Sequence, residues 1–287
     1  MSVLVFSGTH RRYKYITNAV IDAFDDVTVI AQTIRKGDYV GKYDDPLING
    51  HLMRRDVVES EYYPETEFHS CDGIAEVSEL NADISTLISD INPSVIFIFG
   101  TGMITGELFE RVIQYPSINL HLGLAPYYKG SDTLLWPLYL QQPYRIGITL
   151  HQIDRYADNG PIYYRQVTDF GIADSIHDIF CKTIHQAVEP TLDVLEMLLS
   201  EESTITPYTQ QPEGKTFRKG EFTPQHLKVI YQLIESGMLR RYVSLLRKDK
   251  SRDRLAAIIS KRIVNCTDSI VGEITNEFHN WLEEEAL

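Results

Sequence analysis

The apolar run Val95-Ile96-Phe97-Ile98-Phe99 is followed by Gly100-Thr101-Gly102-Met103-Ile104-Thr105-Gly106 and then by Ser117-Ile118-Asn119-Leu120-His121. An uninterrupted apolar run of this length predicts a strand buried on both faces of a parallel sheet. The glycine-rich turn leads into a predicted helix over 106–115, and 117–121 predicts the next strand. This strand–helix–strand order is typical of a doubly wound α/β fold.

The same alternation extends in both directions along the chain. Further strands are predicted at 3–6, 27–31, 147–153 and 163–168. Helices are predicted over 81–90, 133–141 and 175–199, the last with a kink at Pro190. Residues 34–75 are predicted to be irregular, apart from a helix that opens at 51–56. We therefore expect an α/β chain with a doubly wound, mostly parallel sheet.

Prolines mark a boundary after this core. Pro207 and Pro212-Glu213-Gly214 interrupt the pattern, and helices are predicted beyond them over 223–247, 251–264 and 268–287. We therefore predict two parts, a core domain over 1–205 and a mainly helical C-terminal extension over 206–287.

Composition narrows the class of protein. The chain has 287 residues, of which 43% are apolar and 23% charged, values that exclude disordered and low-complexity classes. The sequence has no membrane-length apolar run, and residues 1–6 read as a first strand, so we expect neither a membrane span nor a signal peptide. Its three widely spaced cysteines are typical of a reducing compartment, so we expect a cytoplasmic protein.

The charge is unevenly distributed. A net charge of −13 divides into about +9 over 215–262 and −22 over the rest of the chain. Because an acidic chain repels phosphate backbones, we expect no general nucleic-acid binding, and we expect no membrane partner. The basic segment is interpreted as a solvated helical face, and contact with a phosphate-bearing molecule stays open.

Two motifs have a functional interpretation that we do not adopt. Gly100–Gly106 has the spacing of a dinucleotide loop, but the next strand ends in Asn119-Leu120-His121 and not in the acid that would hold a ribose. His177, Cys181 and His185 recur every four residues on one predicted helix. A closed zinc site needs four ligands, usually from more than one element, so we expect a partly buried helix face and no metal.

A third cluster has the residue types of acid–base chemistry. Asn119 and His121 stand two apart at the carboxyl end of a strand, so both side chains point to the same side, where open α/β sheets bind ligands. Asp158 follows a later strand, on a loop closed by Gly160-Pro161. A carboxylate beside an imidazole and an amide suits proton transfer, although buried polar residues that satisfy loop backbone would give the same pattern.

The order of these motifs resembles one enzyme family. Asn119-x-His121, Pro126–Gly130, Gly147–His151 and Asp158-x-Gly160-Pro161 are similar to formyltransferases that use N10-formyltetrahydrofolate. The resemblance covers residues 80–200 well and the first 30 loosely. It implies a Rossmann-like catalytic domain, N-formyltransferase activity and N10-formyltetrahydrofolate as formyl donor. In the mechanism that it implies, the Asn119 amide and the His121 ring hold the oxyanion, and Asp158 accepts the amine proton.

The resemblance also indicates binding residues. Family members hold the pterin through backbone groups, which correspond here to Met103, Ile104, Thr105, Asp154, Arg155, Tyr156 and Ala157. His151 matches a family histidine near the site. The acceptor is expected to contact two loops. One is the loop after the first strand, through Ser7, Gly8, Thr9, Arg11 and Arg12, and the other is the aromatic loop, residues 124–131, through Tyr128 and Lys129.

The acceptor amine is indicated less sharply. Residues 127–131, Trp136-Pro137 and the segment 51–63 look most like sugar-nucleotide N-formyltransferases, so we expect a nucleotide-linked amino deoxysugar. The open alternatives are hydroxyornithine or another small amine, glycinamide ribonucleotide, methionyl-tRNA, hydrolysis to formate, and a retired scaffold with a partner-binding tail. The extension is interpreted as a cover for the acceptor site, a homodimer contact or a surface for another partner.

Overall fold

The computed structural model describes residues 1–33, 45–81, 85–200, 205–210 and 214–248. Its strands are β1 Val3–Gly8, β2 Val27–Gln32, β3 Gly73–Val77, β4 Val95–Phe99, β5 Ser117–His121, β6 Tyr128–Gly130, β7 Gly147–His151, β8 Ile162–Val167 and β9 Lys215–Phe217. Its helices are α1 Arg11–Ala23, α2 Pro46–Tyr62, α3 Ser85–Ile91, α4 Gly106–Val112, α5 Trp136–Tyr139, α6 Ile176–His185, α7 Val188–Leu199, α8 Pro224–Glu235 and α9 Met238–Lys248. The helices predicted over 251–264 and 268–287 lie outside the described residues.

Seven strands form the main sheet in the order β3-β2-β1-β4-β5-β7-β8. The first five run parallel to one another, whereas β7 runs antiparallel to both β5 and β8. The predicted doubly wound, mostly parallel sheet is confirmed, and all five residues of β4 are buried, as its apolar run predicts.

The alternation of β1 supplies two separate cores. Val3 and Val5 pack on one face of the sheet in a cluster that includes residues of α1 and α7. Leu4 and Phe6 point to the other face and pack in a cluster that includes residues of α4. Since successive side chains of a strand alternate between faces, a single fully buried strand serves both layers of helices.

A third core joins the aromatic loop to the chain beyond residue 205. Trp136 stacks on Phe217 with ring centroids 4.5 Å apart and meets Phe222 edge to face at 5.4 Å. The same cluster includes Leu227 and Tyr242. In addition, β6 and β9 form a parallel two-stranded sheet. The described part of the C-terminal extension therefore shares a core with residues 124–179, and the division at residue 205 stays a prediction.

Four of the predicted elements differ in the structure. The helix predicted to open at 51–56 begins earlier, at Pro46, because the Asp45 carboxylate caps it by accepting from the Leu47 and Ile48 N–H groups at 2.8 and 3.2 Å. β3 begins within the segment predicted to be irregular, because its half-exposed alternation at the sheet edge gives only a weak apolar signal.

The other two differences concern helix ends. The helix predicted over 175–199 is two helices that separate at Gln186-Ala187, and Pro190 lies in the first turn of α7, where a missing N–H costs nothing. α5 is shorter than the predicted 133–141, and at its C-terminal side the positive φ of Gln141, 57°, is incompatible with a right-handed helix. No helix in the described part of the chain is long and apolar enough to cross a membrane.

Candidate active site

Asn119 and Asp158 meet at the carboxyl end of β5. The register of β5 and β7 pairs Asn119 with His151, and the loop after β7 brings back Asp158. Asn119 Nδ2 lies 3.0 Å from His151 Nε2 and 3.3 Å from Asp158 Oδ1. His151 Nδ1 donates to the Gln152 carbonyl at 2.6 Å, so in the neutral ring Nε2 is the acceptor that receives the Asn119 N–H.

Asp158 is surrounded by donors and imidazoles. Oδ2 accepts the Gly130 N–H at 2.8 Å and lies 3.2 Å from His121 Nδ1, while Oδ1 lies 3.3 Å from His151 Nε2. Burial raises the pKa of Asp158, but His121, His151 and the Gly130 N–H together hold that pKa below its usual value. The group is therefore a carboxylate at neutral pH, with 15% of its side chain exposed.

His121 is buried and oriented by the aromatic loop. Its Nε2 lies 2.8 Å from the Tyr128 carbonyl, which accepts only, so Nε2 carries a proton and Nδ1 faces Asp158. Burial lowers the pKa of His121, and the Asp158 charge opposes this shift. A neutral His121 can thus take up a proton at Nδ1, next to the carboxylate.

Gly123 leaves the space that this orientation needs. A β-carbon at residue 123 would overlap His121 Nε2 and lie 2.8 Å from the Tyr128 carbonyl oxygen. The loop that carries Gly123 is held by Thr149, whose hydroxyl donates to the Gly123 carbonyl at 2.7 Å and accepts the Ala125 N–H at 2.9 Å. β7 therefore fixes the loop as well as His151.

Tyr128 and Lys129 lie at this site and are buried. The Tyr128 hydroxyl donates to Gln142 Oε1 at 2.8 Å, and its carbonyl holds His121. Lys129 Nζ donates to Asn159 Oδ1 at 2.9 Å, next to Asp158 in the chain. The structure thus brings both residues to the loops that carry His121 and Asp158, where their described contacts are with the protein itself.

The first predicted pterin segment, residues 103–105, is held by one asparagine. Asn81 donates to the Met103 carbonyl at 3.0 Å and accepts the Thr105 N–H at 2.9 Å. Ile104 is buried in the cluster that also contains Phe109, whereas 54% of Met103 is exposed. Asn81 therefore occupies two backbone groups of this segment, the Met103 carbonyl and the Thr105 N–H.

The second predicted pterin segment, residues 154–157, lies beside the first. Arg155 Nη2 forms an ion pair with Glu110 Oε1 on α4 at 3.1 Å, and the neighbouring Ile153 packs against the cluster that holds Ile104. Tyr156 is 72% exposed. The first segment thus precedes α4 and the second contacts α4 through Arg155, and both carry an exposed apolar side chain, Met103 and Tyr156.

The predicted acceptor residues of the β1–α1 loop make protein contacts. Ser7 is fully buried, and its hydroxyl donates to the Gly8 carbonyl and accepts from Thr17. Arg11 donates to the Tyr63 and Pro64 carbonyls, and Arg12 forms an ion pair with the buried Glu59 at 2.7 Å.

Gly8 and Thr9 are the remaining predicted acceptor residues of this loop. A β-carbon on Gly8 would lie 2.6 Å from the Gly100 carbonyl oxygen, and Thr9 is partly exposed. The acceptor role of the β1–α1 loop stays a prediction.

The histidines of α6 point to different neighbours. His177 packs on His51 with ring centroids 4.5 Å apart, and His185 Nδ1 lies 2.8 Å from the Tyr15 hydroxyl. Cys181 is buried. Among the residues that the structure describes, no three His, Cys, Asp or Glu side chains are placed to hold a metal ion.

An amide, two imidazoles and a carboxylate thus meet at the carboxyl edge of a doubly wound sheet, the place where α/β proteins of this class bind their ligands. The chain belongs to the formyl transferase family, whose sequence model matches residues 1–195. This membership agrees with the resemblance carried by the motifs between Asn119 and Pro161.

Individual relatives share less of the sequence. Methionyl-tRNA formyltransferase of Francisella philomiragia is 28% identical over 129 residues, which are 44% of this chain and 39% of the relative. The Legionella pneumophila enzyme is 30% identical over 116 residues, or 39% of this chain and 36% of the relative. The chain thus spans about two fifths of the length of these curated relatives.

Solved structures share the fold over most of the chain. A 4-N formyltransferase from Francisella tularensis is 16% identical with a TM-score of 0.52, covering 80% of this chain and 86% of that one. A sugar N-formyltransferase from Shewanella is 12% identical with a TM-score of 0.50, covering 80% and 86%. An N-formyltransferase from Helicobacter canadensis, in complex with folinic acid and dTDP-3-aminofucose, is 17% identical with a TM-score of 0.51, covering 81% and 80%.

Proposed function

We propose that the protein is an enzyme that transfers the formyl group of N10-formyltetrahydrofolate to the primary amine of a nucleotide-linked amino deoxysugar. The observation that carries this proposal is the meeting of Asn119, His121 and Asp158 at the end of β5, with separations of 3.2 and 3.3 Å from the Asp158 carboxylate. Family membership over residues 1–195 supports formyl transfer.

The chemistry begins with attack of the neutral amine on the formyl carbon. The amine nitrogen becomes cationic and loses a proton to Asp158, directly or through water, and His121 Nδ1 at 3.2 Å can accept that proton in turn. The proton is finally transferred to the folate nitrogen as the bond between that nitrogen and the formyl carbon breaks. No covalent bond to the protein is required.

The oxyanion needs fixed donors. Both His121 nitrogens face protein atoms, the Tyr128 carbonyl and Asp158, so His121 suits proton transfer better than the oxyanion role first expected for its ring. The Asn119 amide is the remaining donor, and an N–H now shared with His151 or Asp158 would turn to the formyl oxygen. One such donor contributes about 3 kcal/mol to barrier lowering.

The proposed acceptor class rests on fold neighbours and on the resemblance of residues 127–131 to sugar-nucleotide N-formyltransferases. A neighbour with a TM-score of 0.51 binds folinic acid together with dTDP-3-aminofucose, which supports a folate-type donor and a sugar-nucleotide acceptor for this chain. Methionyl-tRNA is the second candidate, because the curated relatives act on it and residues 215–262 carry a charge of about +9.

An assay of tetrahydrofolate release tests the proposal. The protein is incubated with N10-formyltetrahydrofolate and one amine at a time: dTDP- and GDP-amino sugars, hydroxyornithine, glycinamide ribonucleotide or charged initiator tRNA. We expect release with an amino sugar and a formylated product of matching mass. Release with initiator tRNA alone would transfer the proposal to the second candidate. Formate release without any amine would indicate a hydrolase, and no release at all would indicate a retired scaffold.

A further inference from the structure

A short segment beyond the family-matched residues lies against the catalytic loops. Tyr208 pairs with Ile162 at the start of β8: the Tyr208 N–H donates to the Ile162 carbonyl at 3.0 Å, and the Ile162 N–H donates back at 2.8 Å. This pairing holds the chain beside the loop that carries Asp158. The family model ends at residue 195, so these contacts come from outside it.

Gln210, two residues further on, bonds the Asp158 loop itself. Its Nε2 donates to the Asp158 carbonyl at 2.9 Å and to the Gly160 carbonyl at 2.7 Å. The backbone between these carbonyls is tightly constrained. Asp158 has φ 51°, in the left-handed region, and a β-carbon on Gly160 would overlap the Gln152 carbonyl oxygen. One side chain therefore fixes both ends of an unusual turn.

The Asp158 side chain depends indirectly on a strand beyond Gln210, β9. Oδ2 accepts the Gly130 N–H on β6, and β6 is paired with β9, which lies beyond Gln210. Gly130 has φ 90° and approaches Phe217 so closely that a β-carbon would overlap the Phe217 carbonyl oxygen. The backbone of Asp158 thus depends on Gln210, and its carboxylate depends on β9 through Gly130.

We propose that Gln210 is a positioning residue for formyl transfer, an inference that rests on the function proposed above. By holding the carbonyls of Asp158 and Gly160, it keeps the Asp158 carboxylate 3.2 Å from His121 Nδ1 and 3.3 Å from His151 Nε2. Gln210 touches no reacting atom and acts through the turn alone.

The test compares Gln210→Met with Gln186→Met in the full chain. Gln186 is a matched control, since its Nε2 also donates to a loop carbonyl, that of Asp169 at 2.7 Å, away from Asp158. For Gln210→Met we expect kcat to fall about 10- to 100-fold with both KM values unchanged, because a displaced catalytic group loses its reacting geometry. The acid limb of the kcat profile moves to higher pH, because Asp158 loses the imidazoles that lower its pKa. Gln186→Met changes neither quantity.

A second measurement is independent of turnover. In nitrogen NMR spectra of the ligand-free protein, the His121 and His151 ring signals are expected to shift in Gln210→Met and to stay in place in Gln186→Met. Gln210→Glu, which turns a carboxylate toward the two carbonyls, is expected to shift them further and serves if the methionine variant does not fold.

The outcomes separate the two proposals. A kcat within two-fold of the wild type, or ring signals that do not move, overturns the positioning role while leaving formyl transfer intact. An equal fall of kcat in Gln186→Met also overturns it, since the effect is then general destabilisation. A wild-type protein without activity whose ring signals still move in Gln210→Met overturns the proposed function and supports the contact.

Discussion

Two pairs of buried histidines occur among the residues that the structure describes, and they differ in what lies between them. His121 and His151 flank Asp158, at 3.2 and 3.3 Å from its two oxygens. His51 and His177 pack directly on one another between α2 and α6, and both ring nitrogens of His177 are without a hydrogen-bond partner in the described structure. A carboxylate between the rings makes proton exchange possible, whereas its absence leaves two neutral rings that pack helices together.

The largest effect is expected when the carboxylate between His121 and His151 is removed. Asp158→Asn keeps the shape of the side chain and abolishes the proton acceptor, so we expect kcat to fall about 10²–10⁴-fold while the fold survives. Tetrahydrofolate release and the melting temperature check the two halves of this expectation. Asp169→Asn, an exposed aspartate, is the control and should retain full activity. His121→Ala is expected to resemble Asp158→Asn, and near-wild-type turnover by either would refute the catalytic assignment.

A second substitution displaces His121 without changing that residue itself. Gly123→Ala places a methyl group against His121 Nε2 and the Tyr128 carbonyl, so His121 must turn away from Asp158. We expect kcat to fall about 100-fold from this misplacement. Steady-state kinetics with both substrates checks it, and an unchanged kcat would show that the loop can move aside.

The third prediction concerns the pair without a carboxylate. Burial lowers the pKa of His51 to about 3 and that of His177 to about 4. Both titrate near 6.5 in an unfolded chain, so between pH 6.5 and about 4 the unfolded state binds more protons and the free energy of unfolding falls as the pH drops. We expect a loss of at least about 2 kcal/mol across this window, measured by urea unfolding.

His177→Phe isolates that effect. It removes one of the two titrating rings, so the loss of stability on acidification should become smaller, while kcat at neutral pH stays at the wild-type value. An unchanged pH dependence of unfolding would show that the acid sensitivity comes from other groups, and a lower kcat at neutral pH would connect this pair to the active site.

The smallest expected effect is a gain. Gly50 lies within α2, which carries His51, and a β-carbon there meets nothing within 4 Å. Gly50→Ala should raise the free energy of unfolding by about 0.5–1 kcal/mol, because alanine loses less backbone entropy in a helix. Chemical denaturation measures this gain. Set beside Gly123→Ala, the same substitution is favourable in one histidine region and harmful in the other.

The sequence predicts those parts of the site that depend on local order. Asn119 and His121 stand two apart on one strand, and Asp158 lies on a Gly-Pro loop, so their convergence follows from strand geometry and motif order. His151 was noted only by resemblance, because its contact with Asn119 depends on the antiparallel register of β5 and β7, which a single sequence does not specify. Gln210 gave no signal, since its partners lie about fifty residues earlier in the chain.

Elsewhere the sequence indicates residue types but not their partners. Arg11 and Arg12 follow the first strand, where contact with the acceptor is predicted, and in the structure Arg11 donates to two backbone carbonyls and Arg12 pairs with Glu59. An arginine at a strand end has the same pattern whether it meets a ligand or a neighbouring helix. Only the tertiary packing of α1 against α2 distinguishes these uses.

The pairing of β6 with β9 also sets when the catalytic centre can form during synthesis. Tyr128, which holds His121, and Gly130, which holds Asp158, are on a strand whose partner is Lys215–Phe217. Because the ribosome releases the N-terminal part first, the seven strands of the main sheet are all made before β9 exists. A nascent chain arrested before Lys215 is therefore expected to fold its sheet with Asp158 still mobile, and to acquire activity only once Phe217 has emerged.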